Sequence, residues 1–277
     1  TADDDLISFK APSEKSELKP KVDQVEFINR LTTEVLANRE SELPKIKYVP
    51  GTHERREMGG PEVLFSDSLN DAEVTMAQWE TLAWGSEPGA DETFELVDYV
   101  DAGNKVFLAG DFADGYLDNT VAIAIPPAFN FSELSSEDPV MSPAYLVFDY
   151  STMLEYGFDY FYINVIVDGS PYETLDITDM GNLWNDGGYY TTMLDISHLA
   201  GLDNVEFWFI MTSDGSYAEG FGAFFDNVEV WVDEAPYYTN MTGGTVPAGG
   251  SEDITVTAKT ALFDEGEFSL VTFISSD

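Results

Sequence analysis

Cysteine is absent from this 277-residue chain. That excludes disulfide staples, thiolate zinc sites and cysteine nucleophiles, and leaves the redox compartment open. Histidine is scarce as well: His53 stands in the polar stretch GTHERRE and His198 in the turn DISHLAG. Two distant imidazoles, with no Gly-x-Ser-x-Gly and no His-Glu-x-x-His, argue against a nucleophilic triad or a zinc hydrolase within these residues. No run of 18 apolar residues occurs, so no helix crosses a membrane. No signal-peptide pattern stands at Thr1; a secreted form would be one already processed.

Positive charge is the most unevenly missing feature. The chain has 12 Lys and Arg against 52 Asp and Glu, a net charge of −40. Residues 1–56 hold ten of those cations and eleven acids, close to neutrality. Residues 57–277 hold only Lys105 and Lys259 against 41 acids. Such a body repels nucleic acid and anionic lipid. Self-repulsion of this size calls for compensating cations, either high ionic strength or calcium on clustered oxygen ligands. The balance therefore points to a saline, extracellular, calcium-rich setting.

What is plentiful is apolar and aromatic: 44% and 14% of residues, with 19 Phe and 14 Tyr. That supports a sizeable core. Residues 1–20 read as an extended arm. Residues 21–42 carry one helix, with Val22, Val25, Ile28, Leu31, Val35 and Leu36 recurring at three- and four-residue steps between Pro20 and Pro44. Its single apolar stripe needs a partner surface, and the acidic region that follows would also pair its cations. LPKIKYVPGTHERREMGG reads as a linker. From residue 62 the chain turns to short β-branched and aromatic runs separated by Gly, Asp, Asn and Pro, among them EVLFSDSL, TVAIAIP, AYLVFDYS, DYFYINVIVDG, NVEFWFIMTSDG and FFDNVEVWV. Eight to ten such runs predict an all-β, two-sheet jelly-roll sandwich over 62–234, with 1–61 as an N-terminal helical arm. From 235 to 277 the texture changes again and offers only about three strands, an incomplete Ig-like β-domain that is either cut there or completed by a strand from another molecule.

The jelly-roll stretch resembles a known family. Glu155, Gly157, Asp159, Asp168, Gly169 and Trp184, then DIS and AG at 195–201, Ser213-Asp214, and Gly220 with Asp226-Asn227-Val228 follow the order of MAM and immune-inhibitor-A-type domains. VLFSDSLNDAEVTMAQWETL is similar to their first strand. His198 replaces the aromatic usual before AG, and SPYETL lacks the usual Trp. GGTVPAGGSEDITVTAKT resembles the opening of Ig-like repeats in bacterial surface proteins and secreted peptidases. The resemblance implies a secreted or surface-anchored module.

Two oxygen-rich groups are candidate calcium ligands. Asp111, Asp114, Asp118 and Asn119 surround Gly115 in AGDFADGYLDN, without EF-hand spacing. The family resemblance implies a second group, Asp226 with Asp67 or Asp71. Asp226 is flanked by Phe224, Phe225 and Val228, so its carboxylate requires either an ion or the backbone donors of a bulge. Trp184, Tyr189, Tyr190 and Tyr217 lie in loop-like stretches and are candidate sugar-stacking or edge-packing residues. Carboxylates are too abundant to single out a glycosidase pair. The sequence thus predicts a calcium-stabilised, non-catalytic extracellular binding or assembly module, for adhesion, targeting or filament formation. Its partners would be other extracellular proteins or copies of itself. The alternatives are an accessory region of a secreted peptidase and a carbohydrate-binding module that takes glycans.

Overall fold

The apolar stripe near the N-terminus forms a helix, α1 (Val22–Asn38), and finds its partner surface on a β-sheet. The computed structural model describes residues 22–39, 43–48, 62–84, 92–100, 102–134, 143–177, 187–216, 218, 220–232, 237–239 and 256–258. In chain order α1 is followed by β1 (Lys45–Lys47), β2 (Glu62–Asp67), α2 (Ala72–Gln78), β3 (Glu80–Ala83), β4 (Glu95–Asp98), β5 (Lys105–Ala109), β6 (Val121–Ile125) and β7 (Ala128–Asn130). Then come β8 (Ala144–Met153), β9 (Tyr160–Val167), β10 (Ser170–Asp176), β11 (Tyr190–Asp195), β12 (Val205–Thr212), β13 (Gly222–Val232), β14 (Tyr237–Thr239) and β15 (Val256–Ala258).

Two sheets pack face to face, the all-β sandwich that the run pattern predicts. The first has seven strands: β12 pairs with β9 on one side and with β6 and β7 on the other, while β10, β3 and β1 extend the edges. The second has six: β11, β8, β13, β5 and β4 in order, with β2 on the far half of β13. Alternate residues of both sheets meet in one apolar core. At its centre Phe209 of β12 stacks on Phe225 of β13, with ring centroids 4.3 Å apart. Trp79 packs against Phe107, Phe209 and Phe225, and its indole N–H donates to Asp67.

The first sheet is apolar on both faces, unlike a strand set with one wetted side. Ile28, Leu31 and Val35 of α1 cover Val121, Ile123, Ile125, Tyr162, Ile166, Trp208 and Ile210 on its outer face. This explains why VAIAI and YFYINVIV are buried throughout most of their length. Arg39 locks the end of the helix: its guanidinium pairs with Glu80 at 2.7 Å and Glu206 at 2.6 Å, and lies 5.7 Å from the Trp208 ring. Buried Asn164 donates to Thr32 of α1 and accepts from Thr174.

The segment read as a linker differs from that expectation at its start. Lys45–Lys47 is a strand parallel to β7, and Tyr48 beside it is fully buried. Three residues are too few to show a period. In β13, Ala223 and Phe225 face the core and so do Val228, Val230 and Val232, so the alternation slips by one residue between them. Asn227, with φ of +50°, is the bulge that makes the slip. Gly222 (φ +101°) is needed where β13 meets β5, because a Cβ there would stand 2.0 Å from the Ala109 carbonyl oxygen. Of residues 235–277, expected to be Ig-like, β14 and β15 form an antiparallel ladder; the remainder lies outside the described residues.

Candidate ligand-binding cleft

Asp226, Asp67 and Asp71 serve the backbone and their neighbours. Asp67 accepts from Leu69 N–H at 2.8 Å, the Thr75 hydroxyl at 3.0 Å and the Trp79 indole at 2.9 Å, which fixes the turn into α2. Asp71 caps α2 by accepting from Val74 N–H. Asp226 is buried and accepts from Asn227 N–H at 2.7 Å at the bulge. Its other oxygen lies 3.1 Å from the Tyr189 hydroxyl, which also stands 3.2 Å from Asp149. Burial pushes the Asp226 carboxyl up to about 6; the charges of Asp149 and Asp67 add to this, against the lowering effect of the Asn227 and Tyr189 donors.

Asp111 closes a local turn, accepting from Ala113 and Asp114 N–H, which lowers its pKa. Asp118 accepts from Ala218 N–H at 3.3 Å. Among the described residues, the group of three carboxylates with oxygens within 4.8 Å of one another is Glu155, Asp159 and Asp214, which includes none of the six predicted aspartates.

The candidate stacking residues separate likewise. Tyr190 packs on the core, with its ring 6.2 Å from Tyr150. Tyr189 is exposed on the outer face of the second sheet, stacked on Tyr99 at 5.9 Å beside Phe224. Trp184 and Tyr217 lie outside the described residues. His198 is paired with Glu173 at 2.8 Å, which raises its pKa, and stacks on Tyr172.

A concavity lies elsewhere, where α1 crosses one end of the first sheet. It encloses about 660 Å³, within the range of small-ligand sites. Phe27 and Leu31 of α1 form one wall; Trp84, Phe158, Tyr160 and Tyr162 form the others. Phe27 and Phe158 are 41% and 58% exposed, unusual for phenylalanine and available to a ligand. Tyr160 stacks on Tyr162 at 5.4 Å and donates to the Gly157 carbonyl, which holds its ring in place.

The floor is a stitched pair of loop ends. Thr120 N–H donates to Ser213 Oγ, Ser213 N–H to the Thr120 carbonyl, and Asn119 N–H to the Asp214 carbonyl at 2.6 Å. Asn119 is held at φ +56°, a conformation that asparagine tolerates better than most residues. Among the described residues, the Asn119 amide, the Glu34 carboxylate and the second oxygen of Asp214 take no hydrogen bond. Arg30, also at the cleft, has no ion pair among the described residues and lies 5.9 Å from the Phe27 ring. Behind Asp214, buried Asp159 accepts from the Tyr116 hydroxyl at 2.5 Å and from Asp214 N–H at 2.8 Å. Burial raises the Asp159 pKa, with the neighbouring charge of Asp214 adding to it.

Sequence reading missed this cleft. Phe27, Trp84, Asn119, Phe158 and Asp214 come from five separate segments, so no motif spacing joins them. The one local signal was an exposed aromatic beside a glycine, Gly157-Phe158.

Fold and cleft together define a two-sheet β-sandwich with a lateral ligand-sized recess. No family model matches the chain, and no curated protein matches its sequence. Among solved structures, it is similar to the enzymatically active domain of tailspike protein 4 of bacteriophage CBA120, at 10% identity and a TM-score of 0.35. That match covers 56% of this chain and only 19% of the tailspike chain. It is also similar to the K1 cleaved adhesin domain of Lys-gingipain from Porphyromonas gingivalis W83, at 14% identity and a TM-score of 0.38, over 60% of this chain and 96% of that one. A xylan-binding domain from Paenibacillus barcinonensis matches at 8% identity and a TM-score of 0.36, over 63% of this chain and 97% of the other.

Proposed function

We propose that this chain is a non-catalytic glycan-binding module of an extracellular protein, and that the saccharide sits in the cleft between α1 and the first sheet. The observation that carries the reading is the composition of the cleft. Sugars present apolar C–H faces and a rim of hydroxyls. They are recognised by exposed aromatic rings together with planar polar groups that have free hydrogen-bonding capacity. Phe27, Trp84, Phe158 and Tyr160 supply the rings; Asn119, Asp214, Glu34 and Arg30 supply the polar groups. His198 lies outside the cleft, engaged with Glu173, so the described lining residues include no imidazole base. The MAM-like order of residues 155–228 supports placement within a longer secreted chain. The assembly and peptidase-accessory readings depend on the region beyond residue 235, most of which lies outside the described residues.

A glycan array probed with the intact chain, followed by calorimetric titration of each hit, tests this. Phe158→Ala and Asn119→Gly should each weaken binding about tenfold or more, with unchanged melting temperatures. Phe158 is exposed, and glycine accepts the backbone angle at 119. Absence of any saccharide ligand, or undiminished binding by both variants, would discard the proposal.

A further inference from the structure

The charge around the cleft narrows the class of sugar. We infer that it selects saccharides bearing free ammonium groups, de-N-acetylated amino sugars, over neutral and acidic ones. The inference rests on the glycan reading of the same cleft.

Glu34 and Asp214 face the cavity with oxygens that take no hydrogen bond among the described residues. Asp159 and Glu155 stand behind Asp214, with oxygens within 4.8 Å of it. Against these four carboxylates the described lining of the cleft sets one cation, Arg30, whose guanidinium is held near the Phe27 ring. Among the other described cations, Arg39 is committed to Glu80 and Glu206, Lys47 to Glu133 and Lys105 to Asp98. Residues 57–277 contain only Lys105 and Lys259 as basic residues, so the surrounding field is negative and concentrates cations in a concave site.

The walls act in the same direction, because aromatic faces attract cations as well as C–H groups. Arg30 near Phe27 is an example from the chain itself. A uronic acid would bring its carboxylate against Glu34 and Asp214, with Arg30 the one cation among the described lining residues to offset them. A bare metal ion fits less well, since the cavity is far larger than an ion and Asp159 already accepts from Tyr116 and Asp214 N–H. An ammonium on a sugar ring satisfies the carboxylates through its three N–H donors while the ring stacks on Phe158 or Trp84.

The test is calorimetric titration of the intact chain with glucosamine tetramer, N-acetylglucosamine tetramer and galacturonic acid tetramer, at mildly acidic pH and at low and high salt. The glucosamine tetramer should bind about tenfold tighter than its acetylated counterpart, the acidic tetramer weakest, and the preference should shrink with added salt. Asp214→Asn, which keeps the oxygen that accepts from Ser216, and Glu34→Gln on the exposed face of α1 should each reduce the preference. Asp203→Asn, an exposed acid at the opposite end of β12, should leave it unchanged. Equal affinity for the glucosamine and N-acetylglucosamine tetramers, still dependent on Phe158, would overturn the inference while the glycan reading stands. So would a preference that survives both cleft variants or disappears in Asp203→Asn, since that is only the attraction of a polyanion for a polycation. If no saccharide binds, the glycan reading fails and this inference with it.

Discussion

Asp226 shows how one side chain can serve the backbone at an electrostatic cost. It secures the bulge at Asn227 and orients Tyr189, yet it is buried beside Asp149 with no cation in contact among the described residues. Its folded pKa of about 6 lies above the ordinary aspartate value. Between the two values the folded chain holds a proton that the unfolded chain has released, so folding stability from this group falls as pH rises from about 4 through 6 and is level above. The effect amounts to at most about 3 kcal/mol. Melting should therefore be higher at pH 5 than at pH 8, and Asp226→Asn should narrow that difference by raising the value at pH 8. An unaltered difference in the variant would remove Asp226 as the cause. The polar interruption in GFGAFFDNVEVWV was legible as an anomaly. Its cause was not, because the choice between an ion and a bulge depends on which residues face the core on either side of it.

At the scale of elements, α1 is part of the sandwich rather than an appendage. It buries Ile28, Leu31 and Val35 against the first sheet and anchors Arg39 between two glutamates. Ile28→Ala should cost about 2–4 kcal/mol by opening a cavity under the helix, seen as an earlier single transition in urea unfolding. A loss below about 0.5 kcal/mol would mean that the helix and sheet are not closely packed. The helix was readable from its period, and its need for a partner from its single stripe. The strand at Lys45–Lys47 was not, since its place is set by an edge that β7 offers far along the chain. Which sheet face α1 covers was not legible, because a strand buried on both faces differs from a half-buried one only by its missing polar residues.

The whole molecule is governed by its net charge of −40. Neutral salt should raise the melting temperature, most steeply at low ionic strength, because screening relieves repulsion among exposed acids before it weakens the part-buried Arg39 pairs. A melting temperature independent of salt would show that the charges are already compensated locally. The acid excess was plain in the sequence, but not where a ligand would profit from it. The cleft gathers residues from Phe27 to Asp214, and only the packing of α1 on the first sheet makes them neighbours.

The central claim, that a saccharide enters this cleft, is tested most directly by tryptophan fluorescence. Trp84 lines the cavity, whereas Trp79 and Trp208 are buried in the core and under α1. Titration of the glucosamine tetramer into the intact chain should give a saturable change in emission that disappears in Trp84→Phe, a variant that melts like the parent. A change that persists undiminished in Trp84→Phe would place the ligand elsewhere and contradict the account.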